Sequence, residues 1–109
     1  MENIITRGTT ASLSVDFSEI TDFAVSDIVE ACLAVTQRGK TTEYGLEDMQ
    51  IDGDVVRFQW TQEQTLAYRA GYNLSLDFHV TAKGQRYKIN GVPSRVTVEN
   101  TRINRVMET

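Results

Sequence analysis

The stretch YNLSLDFHV at residues 72–80 decides the fold class, because apolar and polar side chains alternate along its whole length. A period of two places successive side chains on opposite faces of a strand, so the pattern predicts a half-buried β-strand with one wet face. The glycine of Lys83-Gly84-Gln85 can take a positive φ, which predicts a hairpin leading into a second antiparallel strand. The chain is therefore expected to be built on antiparallel sheet.

The same alternation recurs on both sides of this stretch. It predicts strands at residues 12–17 and 55–60, and a final strand at Arg95 to Glu99. The only proline, Pro93, lacks a backbone donor and is expected at an edge, a bulge or a turn before that final strand. Further turn signals separate these runs, at Arg38-Gly39-Lys40, Asp52-Gly53-Asp54 and Asn90-Gly91.

The apolar run from Ile28 to Val35 is ambiguous, because its alanines suit a helix as well as a strand. We interpret it as a strand whose inward side chains are Val29, Ala31, Leu33 and Val35. The apolar faces of all these strands are then expected to meet in one buried cluster, which includes Val15, Leu33, Trp60, Leu76 and Phe78.

One helical signal interrupts the strands. Thr61-Gln62-Glu63-Gln64 fits a capping box, and Gly71 lies where a glycine would end a helix, so we predict one or two helical turns crossing between sheets. About seven short strands with regular turn signals in 109 residues are typical of an immunoglobulin-like sandwich. We therefore predict one all-β domain over residues 1–109, an immunoglobulin-like antiparallel β-sandwich with one short helical turn.

Composition narrows the classes of function. Hydrophobic residues make up 40% of the chain and charged residues 24%, which is ordinary for globular domains, and Cys32 has no partner for an internal disulfide. The N-terminus has no basic segment followed by an apolar run, and no apolar stretch is long enough to span a bilayer, so we expect neither signal-peptide secretion nor a membrane partner. A net charge of −4 argues against nucleic acid as a partner.

The charge is unevenly distributed along the chain. Residues 1–54 hold three basic and eleven acidic side chains, a net charge of −8, whereas residues 55–109 hold eight and four, a net charge of +4. Two interpretations are open. In the first, strands from the two halves interleave and cancel the asymmetry; in the second, the molecule is polar and associates with a neighbour by charge complementarity.

No catalytic, cofactor or metal site is predicted. His79 is expected on the wet face of its strand without a partner, and Cys32 is interpreted as a small, partly buried filler. The acidic segment from Glu43 to Asp54 lacks the spacing of a calcium loop, and Asp52-Gly53-Asp54 is typical of a tight hairpin turn. Basic residues concentrate near the C-terminus and are interpreted as a solvated strand face: Lys83, Arg86, Lys88, Arg95, Arg102 and Arg105.

Four features follow one another along the chain. The first two are ITRGTT at residues 5–10, which precedes an alternating strand, and Thr36-Gln37, which precedes the Gly39 turn. The third is Asp52-Gly53, followed by a strand that ends at TQEQTL, residues 61–66, and the fourth is a long strand, a glycine turn and a final strand. In this order they resemble a family of small proteins and N-terminal modules from the tail region of phages and prophages of Gram-positive bacteria, including the N-terminal domain of baseplate upper proteins. The resemblance covers nearly all 109 residues. It implies an immunoglobulin-like sandwich that serves as a structural or adaptor piece of a tail tip.

We therefore predict a non-enzymatic structural or adaptor protein of a phage or prophage tail or baseplate, acting through protein–protein contacts. Other tail or baseplate proteins are the expected partners, with a homo-oligomer as a second option, and the virion tail or the bacterial host cytoplasm is the expected location. The alternative is a carbohydrate- or cell-wall-binding β-sandwich module with an aromatic platform of Tyr44, Tyr68 and Tyr87. A third hypothesis is an enzyme that uses Cys32 or the acidic segment.

The C-terminal tail carries the predicted interaction residues. Apolar and basic side chains follow the last predicted strand, and such a mixture favours docking onto a surface over solvation. A frayed terminus is the alternative. The candidate interaction residues are Arg102, Ile103, Arg105, Val106 and Met107.

Overall fold

The computed structural model describes residues 4–90, 92–103 and 105–107. Over these residues the chain forms an all-β sandwich of two sheets, with one short α-helix and two 3₁₀ turns, Val25–Asp27 and Leu46–Asp48. The elements are β1 (Ile4–Thr6), β2 (Ser12–Asp16), β3 (Ile28–Gln37), β4 (Lys40–Gly45), β5 (Met49–Asp52), β6 (Val55–Gln59), α1 (Gln62–Leu66), β7 (Leu74–Ala82), β8 (Gln85–Lys88) and β9 (Arg95–Glu99).

The larger sheet has six strands in the order β1-β9-β7-β3-β4, and β8 also pairs with β7. The smaller sheet has the order β2-β6-β5. In immunoglobulin terms, β3, β7 and β9 take the places of strands C, F and G, β4 adds a C′ strand, and β2, β6 and β5 take the places of B, E and D. The predicted all-β sandwich is confirmed.

The strand inventory differs from the prediction in two respects. The described residues form nine strands where about seven were expected, because the short β1 and the polar β4 show no apolar alternation. The pairing of β1 with β9 is parallel, with Ile4 opposite Thr97, whereas an antiparallel sandwich was predicted. Parallel strands are joined by a long crossover connection, and here the chain between β1 and β9 is nearly the whole domain, so no local sequence signal predicts the pairing.

The core lies between the two sheets and contains the predicted cluster. Leu33, Trp60 and Phe78 are each no more than 3% exposed, and Val15 and Leu76 are buried with them. Phe58 packs edge-on against Trp60, with ring centroids 4.9 Å apart. Burying an aliphatic or aromatic side chain contributes roughly 1.5–3 kcal/mol, so this shared cluster is the main stabilising feature of a domain without a disulfide.

One side chain of the ambiguous strand points the wrong way. The run is a strand, β3, as predicted, and Ala31, Leu33 and Val35 are buried, but Val29 is 74% exposed. The register against β7 shifts between Ile28 and Glu30. This bulge inserts one extra residue, so Ile28 takes the inward position and Val29 turns to solvent.

The long strand also begins later than predicted. β7 starts at Leu74, and Tyr72 lies before it with 47% of its surface exposed. The guanidinium group of Arg38 sits 4.7 Å from the Tyr72 ring centroid, and the Gln37 amide donates to the Tyr72 carbonyl at 3.1 Å. Tyr72 therefore belongs to the contact between the β3–β4 turn and the chain entering β7, outside the alternating strand.

Three predicted hairpin turns are present. Lys83 and Gly84 join β7 to β8, Arg38 and Gly39 join β3 to β4, and the Gly53 turn joins β5 to β6. Both residues of the first two turns have positive φ, which matches the right-handed twist of the flanking strands. Of the fourth signal, Asn90-Gly91, the glycine lies outside the described residues.

The predicted capping box is also confirmed. The Thr61 hydroxyl accepts from the Gln64 backbone amide at 3.1 Å, and the Gln64 side chain accepts from the Thr61 amide at 2.7 Å. Within α1, Thr65 is fully buried, and its hydroxyl accepts from the Gly8 amide at 2.9 Å and donates to the Thr9 carbonyl at 2.8 Å. Two hydrogen bonds of Thr65 therefore join α1 to the segment between β1 and β2.

Candidate interaction surface

The lone cysteine is held in its protonated form. Cys32 lies on β3 and its thiol donates to the Glu43 carboxylate on β4, with 3.0 Å between Sγ and Oε1. The pKa of the thiol is raised to about 11. Desolvation is the largest cause, followed by the hydrogen bond to Glu43 and the negative charge of that carboxylate. Because the thiolate is the nucleophile, this environment works against covalent catalysis.

His79 has two partners, which corrects the expectation of an unpartnered histidine. Arg86 donates from Nε to the ring Nδ1 at 3.0 Å, which leaves the proton on Nε2, 2.9 Å from the Asp77 carboxylate. Three-quarters of the side-chain surface is covered. Cross-strand pairing of β7 with β8 creates this arrangement, and both ring nitrogens are engaged, so neither faces a substrate as a free base.

The acidic segment has structural contacts instead of an assembled site. Asp48 accepts from the Gly45 amide at 3.1 Å and closes a 3₁₀ turn, while Asp52 and Asp54 flank the Gly53 turn. Across residues 4–90, 92–103 and 105–107, no group of three His, Cys, Asp or Glu side chains is placed to hold a metal ion. No helix in the described part of the chain has the length and apolar character to cross a membrane.

The three tyrosines of the alternative hypothesis do not form an exposed platform. Tyr44 packs on Phe58 with ring centroids 4.6 Å apart, and Tyr87 packs on Phe23 at 4.7 Å. The Tyr68 hydroxyl accepts from the Trp60 indole at 2.8 Å, and burial raises the pKa of that phenol. All three rings are partly buried against the core and serve its packing.

Opposite charges collect at opposite ends of the sandwich. Strand registers define these ends: Ile28 of β3 lies beside Ala82 of β7, and Asp16 of β2 lies beside Val55 of β6. One end therefore holds the β2–β3 loop, the β5–β6 turn and the β7–β8 turn. This acidic end carries Asp16, Glu19, Asp22, Asp27, Asp52 and Asp54. Lys83 of the β7–β8 turn lies 3.7 Å from Asp27, and Arg86 and Lys88 follow on β8.

The other end holds the β3–β4 turn, α1 and the chain that follows β9. Among the described residues at this end, two carry carboxylates, Glu63 and Glu99, and six carry cations. This basic end carries Arg7, Arg38, Lys40, Arg69, Arg102 and Arg105. Strands from both halves of the sequence do interleave in each sheet, as one interpretation held, but six acidic residues still lie together in or next to the loops at one end.

The C-terminal tail, defined here as Arg102, Ile103, Arg105, Val106 and Met107, lies at the basic end. Its backbone is tied to α1: the Gln62 side chain donates to the Met107 carbonyl at 3.0 Å and accepts from the Met107 amide at 2.6 Å. Two residues before the tail begins, the Asn100 side chain accepts a hydrogen bond from Arg7 at 2.8 Å. The tail therefore follows the surface of its own domain.

The tail side chains remain outside the core. Ile103, Val106 and Met107 are each 47–48% exposed, and both tail arginines are exposed. Val106 borders an open groove with Trp60 and Thr10, beside the N-terminus of α1. A segment that is anchored at Met107 and presents three half-exposed apolar side chains among basic ones is suited to contact with another surface.

The sequence predicts the tail as an interaction segment but gives no sign of its contact with Gln62. Nothing in the sequence position of Gln62, within a capping box, distinguishes a glutamine that binds a distant backbone from one in solvent. Comparisons with protein-family models, curated proteins and solved structures find no match to this chain.

Proposed function

We propose that this chain is a non-enzymatic structural or adaptor protein of a phage or prophage tail or baseplate, and that it acts through protein–protein contacts. The observation that supports contact as its mode of action is the C-terminal tail, which Gln62 anchors at the Met107 backbone while its apolar side chains stay half exposed. Assignment to a phage particle rests on the resemblance of the chain, segment by segment, to tail-region proteins.

The nucleophile candidates support a non-enzymatic role. The Cys32 thiol has a raised pKa and donates to Glu43, and both nitrogens of His79 are engaged. A carbohydrate platform loses its support because Tyr44, Tyr68 and Tyr87 pack against the core. Surface contact is the function that the remaining features serve best.

The test is made on particles from a strain that carries the gene. Particles are induced, purified on a density gradient, probed by mass spectrometry, and labelled with gold-conjugated antibody against the chain. We expect the chain to co-purify with particles and the label to lie at the tail. Absence of the chain from the particles, or a gene deletion that leaves the infective titre unchanged, would overturn the proposal.

Complementation of the deletion separates the tail from the rest of the domain. We expect the combined substitution Ile103→Asp and Val106→Asp to fail to restore infective particles, because it places charge on the presented apolar side chains. Val29→Asp is the matched control, since Val29 is an exposed apolar residue on the larger sheet, away from the tail. It should restore the titre, and circular dichroism should show that both variants fold.

A further inference from the structure

A groove at the acidic end is lined by apolar and acidic side chains, which complement the apolar and basic side chains of the tail. The groove has a volume of about 330 Å³ and opens between the end of β2, the β2–β3 loop and β8. Phe23 and Tyr87, stacked at 4.7 Å, form one wall. The remaining apolar lining is Val15, Ile20 and Ile89.

Carboxylates dominate the polar lining of this groove. Asp16, Glu19 and Asp22 line it on the loop side, against one ammonium group, that of Lys88. An apolar floor with an acidic rim fits a segment that carries apolar and basic side chains together. The C-terminal tail is such a segment, with Ile103, Val106 and Met107 next to Arg102 and Arg105.

The tail cannot reach the groove of its own molecule while it keeps its observed position. Gln62 holds Met107 at the basic end, and the groove lies toward the acidic end of a molecule 45 Å long. A second copy of the chain brings its tail to this groove without any rearrangement. The occupant that fits the charges and the geometry is therefore another copy.

We propose that this protein associates head to tail, with the C-terminal tail of one copy docked in the acidic-end groove of the next. The proposal deepens the proposed function, on which it rests, by naming the partner of the tail. Because the two contacting patches differ, the contact is heterologous, and each pair leaves one tail and one groove open. Further copies can add until a ring closes or an open chain forms.

Two physical features favour this contact. The backbone of Met107 is already held by two hydrogen bonds to Gln62, so docking loses less conformational entropy than binding of a free segment would. The opposite charges of tail and groove attract, and this attraction weakens as salt screens it. Association should therefore depend on protein concentration and fall as ionic strength rises.

Sedimentation velocity of the full chain over a range of concentrations, in about 50 mM and about 500 mM NaCl, tests the proposal. We expect wild-type species larger than a dimer at low salt, with an apparent dissociation constant at least about tenfold higher at high salt. The combined change Arg102→Glu and Arg105→Glu should abolish association, and so should Glu19→Lys with Asp22→Lys. The variant with all four changes should associate again, because its acidic tail meets a basic groove.

Two results would overturn the head-to-tail contact: a wild-type chain that stays monomeric in every condition, or a four-change variant that fails to associate while circular dichroism shows it folded. A tail-to-tail dimer gives the second result, because its two acidic tails repel each other. Neither result bears on the proposed adaptor role, which the experiment on purified particles tests separately. Conversely, a chain that assembles in this way but is absent from particles overturns the proposed function alone.

Discussion

At the scale of single residues, the environment of Cys32 makes a testable statement about reactivity. With its pKa raised from 9.0 to about 11, the thiol is almost wholly protonated at pH 8, so its thiolate fraction is about a hundredfold below that of an ordinary cysteine. We expect alkylation by iodoacetamide at pH 8 to be slower than that of an ordinary cysteine, by less than this factor because a thiolate of higher pKa is the stronger nucleophile. The rate should accelerate about tenfold per pH unit up to about pH 11. Mass spectrometry of quenched samples measures the rate.

Glu43→Gln is the matched variant for this experiment. It removes the negative charge that opposes the thiolate and keeps a group able to hydrogen bond, so the pKa of Cys32 should fall and alkylation at pH 8 should become faster. Wild-type alkylation as fast as that of a model thiol would contradict the geometry at this pair.

At the scale of elements, α1 depends on its first residue. Thr61→Ala removes the hydroxyl that accepts from the Gln64 amide, and we expect the free energy of unfolding to fall by about 0.5–2 kcal/mol, measured by urea denaturation. Thr61→Ser keeps the hydroxyl and should stay close to the wild type. An unchanged midpoint in the alanine variant would show that the cap contributes nothing to stability.

Elements with strong local signals could be predicted from the sequence. The alternation that predicts β2, β6, β7 and β9 reflects a half-buried surface, and the cap of α1 is a contact between residues three apart, so short segments suffice to define them. The β3 bulge could not be found in this way. Val29 alternates correctly with Ala31, and only the pairing with β7 reveals the extra residue that turns it outward.

In the candidate site, too, local features could be predicted from the sequence and long-range contacts could not. The mixed apolar and basic composition of the tail is visible in the sequence, but its anchor on Gln62 joins residues 45 positions apart and depends on the complete fold. Glu19 and Asp22 face Tyr87 across the groove for the same reason. Long-range contacts of this kind carry no periodicity, so no local pattern could have predicted them.

At the scale of the whole molecule, charge polarity arises from topology. The −8 and +4 halves of the sequence contribute strands to both sheets, yet the β2–β3 loop and the β5–β6 turn lie together at one end and the chain after β9 lies at the other. A fold with the same strands and different connections would mix these charges. Polarity is thus a property of the strand order.

The parallel pairing of β1 with β9 has a mechanical consequence. The two strands run in the same direction, so tension between Ile4 and the residues after Glu99 pulls them past each other along their length. Their backbone hydrogen bonds then bear the load together, whereas strands peeled from one end release their bonds one at a time. The edge of the larger sheet is built to resist stretching along the chain.

Single-molecule pulling measures this resistance. We expect a higher unfolding force with handles at Ile4 and Thr101 than with handles at Ile4 and Gly53, because only the first pair applies the force directly to the opposite ends of the paired strands β1 and β9. Equal forces in the two geometries would show that another part of the sandwich yields first. If the first force is the higher one, the three residues of β1 act as a mechanical clamp on a domain that has no covalent crosslink.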